Sequence, residues 1–111
     1  MTDLPLEISA TEAQQLLDSS SSILLLDCRN QDEYDLVHIE NSTLIPMDQV
    51  TIRTGEIGEL KKERIVVYCH MGVRSLMVCR WLRENGFPNT QSMAGGIDAW
   101  SVAVDPTLRR Y

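Results

Sequence analysis

A cysteine stands where the sequence changes from a buried-strand pattern to a helical pattern. The four residues before Cys69 are apolar or aromatic, as in a strand buried on both faces, and from Val73 onward apolar residues recur at helical spacing. Cys69 is therefore expected at a strand-to-helix turn. Gly72, within that turn, is expected to adopt backbone angles that other residues resist, so that successive N–H groups converge just before the positive end of a helix. Such a turn suits an anion.

The anion at this turn could be the cysteine itself, as a thiolate. A helix N-terminus typically lowers the pKa of a thiol from about 8.5 to between about 3.5 and about 7.5. A two-unit drop raises the rate of attack only about threefold, because nucleophilicity falls as the thiolate fraction rises. We therefore expect the main contribution of the loop amides 71–75 to be stabilisation of a charged group that the sulfur attacks or carries, worth ~3 kcal/mol for one donor.

Strand and helix patterns alternate on both sides of this turn. Apolar runs predict strands that end at Ile8, Asp27, Pro46, Tyr68 and Met93. Helices are predicted after Ser9, which forms a capping box with Glu12, from Asn30, after Cys69 as far as about Asn85, and from Gly95-Gly96. Short helical pieces separated at Gly55 and Gly58 are expected within residues 47–60.

This alternation predicts one domain, residues 1–111, of the α/β class with a mostly parallel sheet. Ligands of such sheets bind at the carboxyl ends of the strands, and Cys69 follows one of those ends. The elements therefore place the candidate chemistry where this architecture usually holds it.

Composition excludes several classes of function. Ten basic residues against 16 acidic ones give a net charge of −6, which argues against nucleic acid as a partner. No apolar run approaches membrane-spanning length, and Met1-Thr2-Asp3-Leu4-Pro5 lacks a basic segment followed by an apolar one, so a cytoplasmic protein without a membrane partner is expected. Three cysteines without CxxC or zinc-type spacing indicate reduced thiols rather than a disulfide framework or a metal site.

Six ordered pieces of the sequence together resemble a single-domain rhodanese, over most of the chain. They are Asp27-Cys28-Arg29, Glu33-Tyr34, His38-Ile39, Ile45-Pro46, the loop Cys69-His70-Met71-Gly72-Val73-Arg74-Ser75, and Gly95-Gly96-Ile97-Asp98-Ala99-Trp100. The resemblance implies a rhodanese-like α/β fold, with a five-stranded mostly parallel sheet flanked by helices. It also implies transfer of sulfane sulfur through a persulfide on Cys69, for which no metal or organic cofactor is required.

Three positions depart from the family's usual pattern. Cys28 stands where the family usually has valine or a similar residue, Val37 replaces a glycine before His38, and Glu40-Asn41-Ser42 replaces a small glycine-containing turn. Asn41 tolerates the left-handed conformation that such a turn needs, so the local loop rather than the fold is affected.

The loop supplies the candidate site residues. Cys69 is the expected nucleophile, and the expected substrate-binding residues are His70, Met71, Gly72, Val73, Arg74 and Ser75. His70 could assist proton transfer, contact substrate or be merely solvated. Arg74 could pair with an anionic donor such as thiosulfate, or brace the loop against a carboxylate such as Asp27.

Other chemistry-bearing residues have structural interpretations. Arg29 and Glu33 are expected to form a local ion pair, and His38 to be a structural histidine. Trp81 and Trp100 are expected in the core, and Cys79 is expected to be an inert buried thiol within a helix.

The sequence thus predicts a sulfurtransferase that takes sulfur from thiosulfate or a persulfide donor. The acceptor would be a thiol, cyanide in an assay, or a thioredoxin-like or other sulfur-relay protein. One alternative is a rhodanese-like redox-sensing or protein-interaction module. Another is a cysteine-dependent phosphatase or arsenate reductase, but related phosphatases place five residues between cysteine and arginine, whereas four separate Cys69 from Arg74 here.

Cys28 follows a predicted strand and should lie at the same edge of the sheet as Cys69. If the two strands are neighbours, Cys28 could take sulfur from a Cys69 persulfide or resolve it into a disulfide, provided that the Cα atoms come within ~7 Å. The alternative is core packing, because cysteine is about the size of the valine more usual at this position.

Overall fold

Five parallel strands form one sheet in the computed structural model, which describes residues 4–20 and 22–111. The strands are β1 (Glu7–Ile8), β2 (Leu24–Asp27), β3 (Thr43–Leu44), β4 (Ile65–Tyr68) and β5 (Thr90–Met93). They lie side by side in the order β1-β5-β4-β2-β3, and every pair is parallel. The predicted α/β fold with a five-stranded parallel sheet is therefore confirmed. Expectations that concern Met1, Thr2, Asp3 and Ser21 fall outside the described residues.

Helices flank the sheet on both faces. They are α1 (Ala10–Ser19), α2 (Gln31–Leu36), α3 (Val50–Arg53), α4 (Val73–Glu84) and α5 (Gly96–Ala103), with 3₁₀ segments at Met47–Gln49 and Thr54–Leu60. In the described part of the chain, no helix combines the length and the apolar character that crossing a bilayer requires.

Several helix ends follow the sequence signals. The Ser9 side chain accepts a hydrogen bond from the backbone N–H of Glu12, as the capping box predicted.

The predicted interruptions at Gly55 and Gly58 are wrong, since both glycines lie inside the segment Thr54–Leu60. Neither glycine has a positive φ, so neither uses the freedom that would end a helix. The strand predicted to end at Pro46 ends at Leu44, although the N–H of Ile45 still bonds to the carbonyl of Asp27.

The core has two parts, one on each face of the sheet. On one face, α1 and α5 cover strand side chains such as Leu25 and Val66, and Trp100 of α5 packs among them. On the other face, α4 covers a cluster that includes Val67, Cys28 and Cys69. Strand β4 is central and buried at all four residues, so Cys69, the residue that follows it, is held by both neighbouring strands.

Candidate active site

The turn after Cys69 is closed by a glycine in the left-handed region. Gly72 has φ of 102°, and α4 begins at the next residue. A side chain would be strained at this φ, and a Cβ atom would lie only 3.1 Å from the backbone nitrogen of Gly95. The expected use of Gly72 is therefore confirmed. Its conformation lets the loop fold back so that the Gly72 N–H points at the Cys69 sulfur, at 3.1 Å.

Ser75 supplies further donors to the same sulfur from the first turn of α4. Its backbone nitrogen and its hydroxyl oxygen both lie 3.4 Å from Cys69 Sγ. The Ser92 hydroxyl donates to Ser75 Oγ at 2.8 Å, which leaves the Ser75 proton free to point at the sulfur. Ser92 lies in the middle of β5, and nothing in the local sequence pattern indicated a contribution from it.

The junction of β5 and α5 supports the loop from below. The N–H of Ile97 donates to the carbonyl of Cys69 at 2.8 Å, and the N–H of Asp98 donates to that of His70 at 3.2 Å. A Cβ atom at Gly96 would overlap both of these carbonyl groups. Gly96 therefore allows the start of α5 to pack directly against the backbone of the loop. This close packing prevents the loop from moving toward the sheet.

These surroundings favour the thiolate form of Cys69. The neighbouring Cys28 thiol is the largest influence that lowers its pKa, and the donors from Ser75 and Gly72 act in the same direction. Burial opposes them, yet the pKa of Cys69 falls to about 4. At neutral pH the sulfur is therefore a thiolate, although its residue is only 1% exposed.

Cys28 lies beside Cys69, on the neighbouring strand. Asp27 and Tyr68 are register partners at the ends of β2 and β4, and each cysteine is the next residue. The N–H of Cys28 donates to the carbonyl of Tyr68 at 3.1 Å, which continues the ladder by one step. Interaction with the Cys69 thiolate raises the pKa of Cys28, and burial raises it further. Cys28 is thus a protonated thiol, and the condition that the two strands be neighbours is met.

Arg74 is held by Glu33 rather than by Asp27. Its two terminal nitrogens lie 2.6 and 2.9 Å from the two Glu33 oxygens, in a bidentate pair. Arg74 lowers the pKa of Glu33 to about 2. The structure therefore gives Arg74 a bracing partner across the loop, but a different carboxylate from the one suggested by the sequence. The guanidinium remains partly exposed, at 29% of the side chain.

The expected pair of Arg29 with Glu33 is also wrong. Arg29 pairs with Asp27, both side chains being fully buried, with 2.7 Å between Nη2 and Oδ2. Arg29 precedes α2, so the four-residue helical spacing that would face it toward the Glu33 carboxylate does not apply. Arg29 instead reaches backbone carbonyls, at Val37 and Glu33.

Tyr111 completes this polar network, a role that no sequence pattern predicted. Its hydroxyl donates to Glu33 Oε2 at 2.7 Å and accepts from Arg29 Nη1 at 2.8 Å. Its ring stacks on the imidazole of His70. Because Tyr111 has no periodic or motif context, only the tertiary structure places it at the site.

His70 is half-buried rather than free in solvent at a loop tip. Its Nε2 is buried and has no hydrogen-bond partner among the described residues. By contrast, His38 lies outside the site, where its ring stacks on Tyr34 and its Nδ1 lies 2.9 Å from the Tyr34 carbonyl oxygen. His38 is thus a satisfied structural residue, as expected.

The remaining predicted site residues lie on the rim of the loop. Met71 is 56% exposed and Val73 is 70% exposed, so both side chains face outward around the cysteine. Met77, one turn into α4, adds a third exposed apolar side chain. The rim is therefore apolar, while the floor of the loop is polar.

Other residues that were interpreted as structural are so. Trp100 is buried in the core and Trp81 packs against the opposite cluster, half-buried. The Cys79 thiol donates to the carbonyl of Thr90 at 3.1 Å, and burial raises its pKa to about 11. Asn41 has φ of 67°, so the turn that departs from the usual glycine-containing pattern is left-handed as expected. No group of acidic, histidine or cysteine residues in the described chain is arranged to hold a metal ion.

Comparison with known proteins gives matches along most of the chain. The rhodanese-like domain family matches residues 9–103. A sulfurtransferase of Allochromatium vinosum is 33% identical over 95 residues, which cover 86% of this chain and 87% of that protein. The probable adenylyltransferase/sulfurtransferase MoeZ of Mycobacterium tuberculosis is 33% identical over 94% of this chain, but the chain spans only 26% of its length.

Solved structures give the same result. A rhodanese-like domain protein from Staphylococcus aureus superposes with a TM-score of 0.77 at 29% identity, covering 96% of this chain and 99% of that one. Several curated relatives are much longer, and the chain spans between 26% and 50% of their length.

Proposed function

The chain belongs to the rhodanese-like domain family, and from that membership we propose that it is a sulfurtransferase that carries sulfane sulfur as a persulfide on Cys69. The observation that carries the proposal is the thiolate of Cys69 at the floor of a loop whose donors point at its sulfur. The sequence of the A. vinosum sulfurtransferase, matched over most of its length, supports the same class of reaction.

The first half of the reaction loads the cysteine. The Cys69 thiolate attacks the outer sulfur of thiosulfate, a new S–S bond forms, and the bond to the sulfonate breaks with its electron pair on sulfite. No proton moves, because nucleophile and leaving group are both anions. The loop amides 71–75 then face the terminal sulfur of the persulfide, which carries the negative charge.

The second half returns the cysteine to its thiolate form. A nucleophile such as cyanide or a thiolate attacks the terminal sulfur, and the electron pair of the S–S bond returns to Cys69 Sγ. With cyanide the product is thiocyanate. The donors of Gly72 and Ser75 stabilise Cys69 as the leaving thiolate, since they already point at Sγ in the unloaded protein.

Arg74 would guide anionic donors toward this sulfur. It is the cationic residue of the loop, and its charge also interacts with Cys69. Its bidentate pair with Glu33 neutralises part of that charge, so an anionic donor competes with Glu33 for the guanidinium. This arrangement supports persulfide donors beside thiosulfate, because little net positive charge faces the entrance.

A protein of a sulfur relay is the proposed physiological partner. Met71 and Val73 expose apolar side chains on the loop that follows Cys69, and Met77 adds one a turn later on α4; this apolar rim suits a protein surface better than a small hydrophilic acceptor. Relatives with names such as MoeZ and the putative sulfur carrier protein YrkF of Bacillus subtilis are consistent with such a relay. A thioredoxin-like dithiol is the class of acceptor that we propose.

A combined assay tests the proposal against phosphatase chemistry. In samples quenched immediately after mixing with thiosulfate, intact-mass measurement and peptide mapping should place one added sulfur atom on Cys69, and cyanide added at that moment should remove it as thiocyanate. Cys69→Ala and Cys69→Ser should abolish both results, whereas Cys79→Ala, which removes the buried thiol within α4, should not. Hydrolysis of an aryl phosphate should be negligible under the same conditions. Full sulfur transfer by Cys69→Ala, or phosphatase turnover comparable with sulfur transfer and lost in that variant, would overturn the proposal.

A further inference from the structure

A second thiol lies next to the proposed sulfur carrier and has no part in the reaction described so far. Cys28 and Cys69 follow paired residues of two hydrogen-bonded strands, and the ladder extends to Cys28 through its N–H. Neighbouring strands lie about 4.8 Å apart, which is within the Cα separation that a disulfide spans. Both residues belong to the same buried cluster on the α4 side of the sheet.

The two thiols are held from different sides of the central strand. The loop that carries the donors to Cys69 Sγ rests on the junction of β5 and α5. Cys28 belongs to β2, on the opposite side of β4. The loop that would hold the terminal sulfur thus rests on the β5 side of the central strand, and Cys28 adjoins Cys69 from the β2 side.

Loading of Cys69 changes the chemical state of the sulfur atom next to Cys28. In the unloaded protein, the proximity of the two cysteines lowers the pKa of Cys69 and raises that of Cys28, and the Cys28 thiol also donates to the Tyr68 carbonyl at 3.5 Å. In a persulfide the charge lies on the terminal sulfur, so Sγ is neutral and electrophilic. The Cys69 thiolate then no longer raises the pKa of Cys28, although burial and Asp27 still do, and the neighbouring sulfur becomes a group that Cys28 can attack.

We propose that Cys28 resolves the Cys69 persulfide and releases its sulfur as hydrosulfide, an inference that rests on the proposed function. Cys28 Sγ bonds to Cys69 Sγ, and the bond between Cys69 Sγ and the terminal sulfur breaks. The terminal sulfur leaves with that electron pair and with the proton of the Cys28 thiol. The sulfane sulfur is reduced by two electrons, and the two cysteines are oxidised to a disulfide.

A dithiol completes the cycle by reducing the disulfide between Cys28 and Cys69. Its own two thiols become a disulfide, Cys28 regains its proton, Cys69 returns as the thiolate, and the second proton of the dithiol passes to solvent. Without such a dithiol the protein would release one hydrosulfide and stop. This activity differs from transfer to cyanide or to a thiol acceptor, in which Cys69 returns directly to the thiolate.

A single-turnover experiment tests the inference on the full chain. Reduced protein is loaded anaerobically with limiting thiosulfate, without an acceptor, and hydrosulfide is trapped with monobromobimane. Intact mass under non-reducing conditions distinguishes the persulfide, which has gained a sulfur atom, from the disulfide, which has lost two hydrogens. A parallel sample receives cyanide immediately after loading, so that thiocyanate measures the loaded fraction independently.

The wild-type chain should release one hydrosulfide for each loaded Cys69 and yield a Cys28–Cys69 crosslink on peptide mapping. Cys28→Val should still load with thiosulfate, and once loaded it should retain the persulfide and give thiocyanate with cyanide. Cys28→Ala provides a second test with a smaller side chain. The control Cys79→Ala removes a buried thiol away from Cys69 and should behave as the wild type.

Three results would overturn the inference, and they separate its failure from failure of the proposed function. If the wild type holds a stable persulfide, forms thiocyanate with cyanide and shows no crosslink, Cys28 is core packing and the proposed sulfur transfer stands. Equal hydrosulfide release by Cys28→Val has the same meaning. If Cys69 gains no sulfur and cyanide yields no thiocyanate, the proposed function fails and the inference fails with it.

Discussion

The ring of Tyr111 lies flat on the imidazole of His70, with ring centroids 3.9 Å apart and an angle of 9° between the planes. This stack covers one side of the loop that holds Cys69. The Tyr111 hydroxyl also binds Glu33, and Glu33 pairs with Arg74. Tyr111 therefore contacts His70 directly and Arg74 through Glu33. Tyr111 is therefore a positioning residue.

Removal of Tyr111 should affect both stability and turnover. Tyr111→Phe keeps the stack and loses the hydroxyl contacts, and should lower the free energy of unfolding by about 1 kcal/mol. Tyr111→Ala should lose about 0.5–1.5 kcal/mol more. Urea unfolding and thiosulfate:cyanide turnover measure the two effects. Tyr34→Ala removes a similar stack on His38, outside the loop, and should leave turnover unchanged. Equal turnover losses in Tyr111→Ala and Tyr34→Ala would exclude a positioning role.

The reactivity of Cys69 should persist to low pH. Because its pKa is lowered to about 4, protonation begins only as the pH falls toward that value, and alkylation by iodoacetamide should be nearly independent of pH from about 6 to about 8. In Cys28→Val the midpoint should move upward, since the largest stabilising influence on the thiolate is lost. The control is Cys79→Ala. A wild-type midpoint near the ordinary thiol value of about 8.5 would contradict the assignment.

Arg74 and Glu33 should act in opposite directions on anionic donors. Arg74→Ala should lower kcat/KM for thiosulfate by about three- to tenfold, equivalent to ~0.6–1.4 kcal/mol, and affect an uncharged organic trisulfide donor less. Glu33→Gln frees the guanidinium and should raise kcat/KM for thiosulfate. Steady-state kinetics with both donors provide the measurement. If both substitutions lower activity equally with either donor, Arg74 only braces the loop.

The buried pair of Arg29 and Asp27 should contribute more to the free energy of unfolding than the partly exposed pair of Arg74 and Glu33. Asp27→Asn leaves the Arg29 charge buried without its carboxylate, and should cost about 3–5 kcal/mol of the free energy of unfolding. Glu33→Gln, which breaks a partly exposed pair, should cost about 1 kcal/mol or less. Chemical denaturation of the two variants compares them directly. Similar losses would mean that burial does not set the cost here.

The apolar rim should matter for a protein acceptor and little for a small one. Val73→Asp places a charge on the rim, and should lower the rate of sulfur transfer to a thioredoxin-type dithiol protein several-fold while transfer to cyanide changes less. Ile52→Asp is the matched control, because Ile52 is also exposed but lies on α3. If both variants lose activity with the dithiol protein to the same extent, net charge rather than the rim is responsible.

The sequence predicted the parts of the site that depend on neighbouring residues. The buried run before Cys69, the glycine after it and the start of α4 are local signals, so the turn and its left-handed Gly72 could be predicted. The parallel sheet was predicted from the alternation of strands and helices, and its five strands from the family resemblance, whereas the order of the strands was not predicted.

Contacts between distant segments could not be predicted in the same way. Glu33 and Arg74 are 41 residues apart, and Tyr111 reaches Glu33 across 78. Arg29 was expected to pair with Glu33, but it pairs with Asp27, which is closer along the chain. Arg29 lies outside α2, so it does not have the helical geometry that would bring it to the Glu33 carboxylate. Side-chain pairing at the strand ends is set by packing of the whole sheet.

The central position of β4 also bears on how the protein folds. Its partners, β2 and β5, come from opposite sides of it in the sequence, so the floor beneath Cys69 requires contacts between distant parts of the chain. Such contacts form slowly compared with a single helix. The acidic thiol of Cys69 depends on them, because the Cys28 contact and the Ser75 contact to Ser92 both need neighbouring strands in place. Thiolate absorbance should consequently emerge late in refolding, after most helical signal has returned, and would report completion of the sheet.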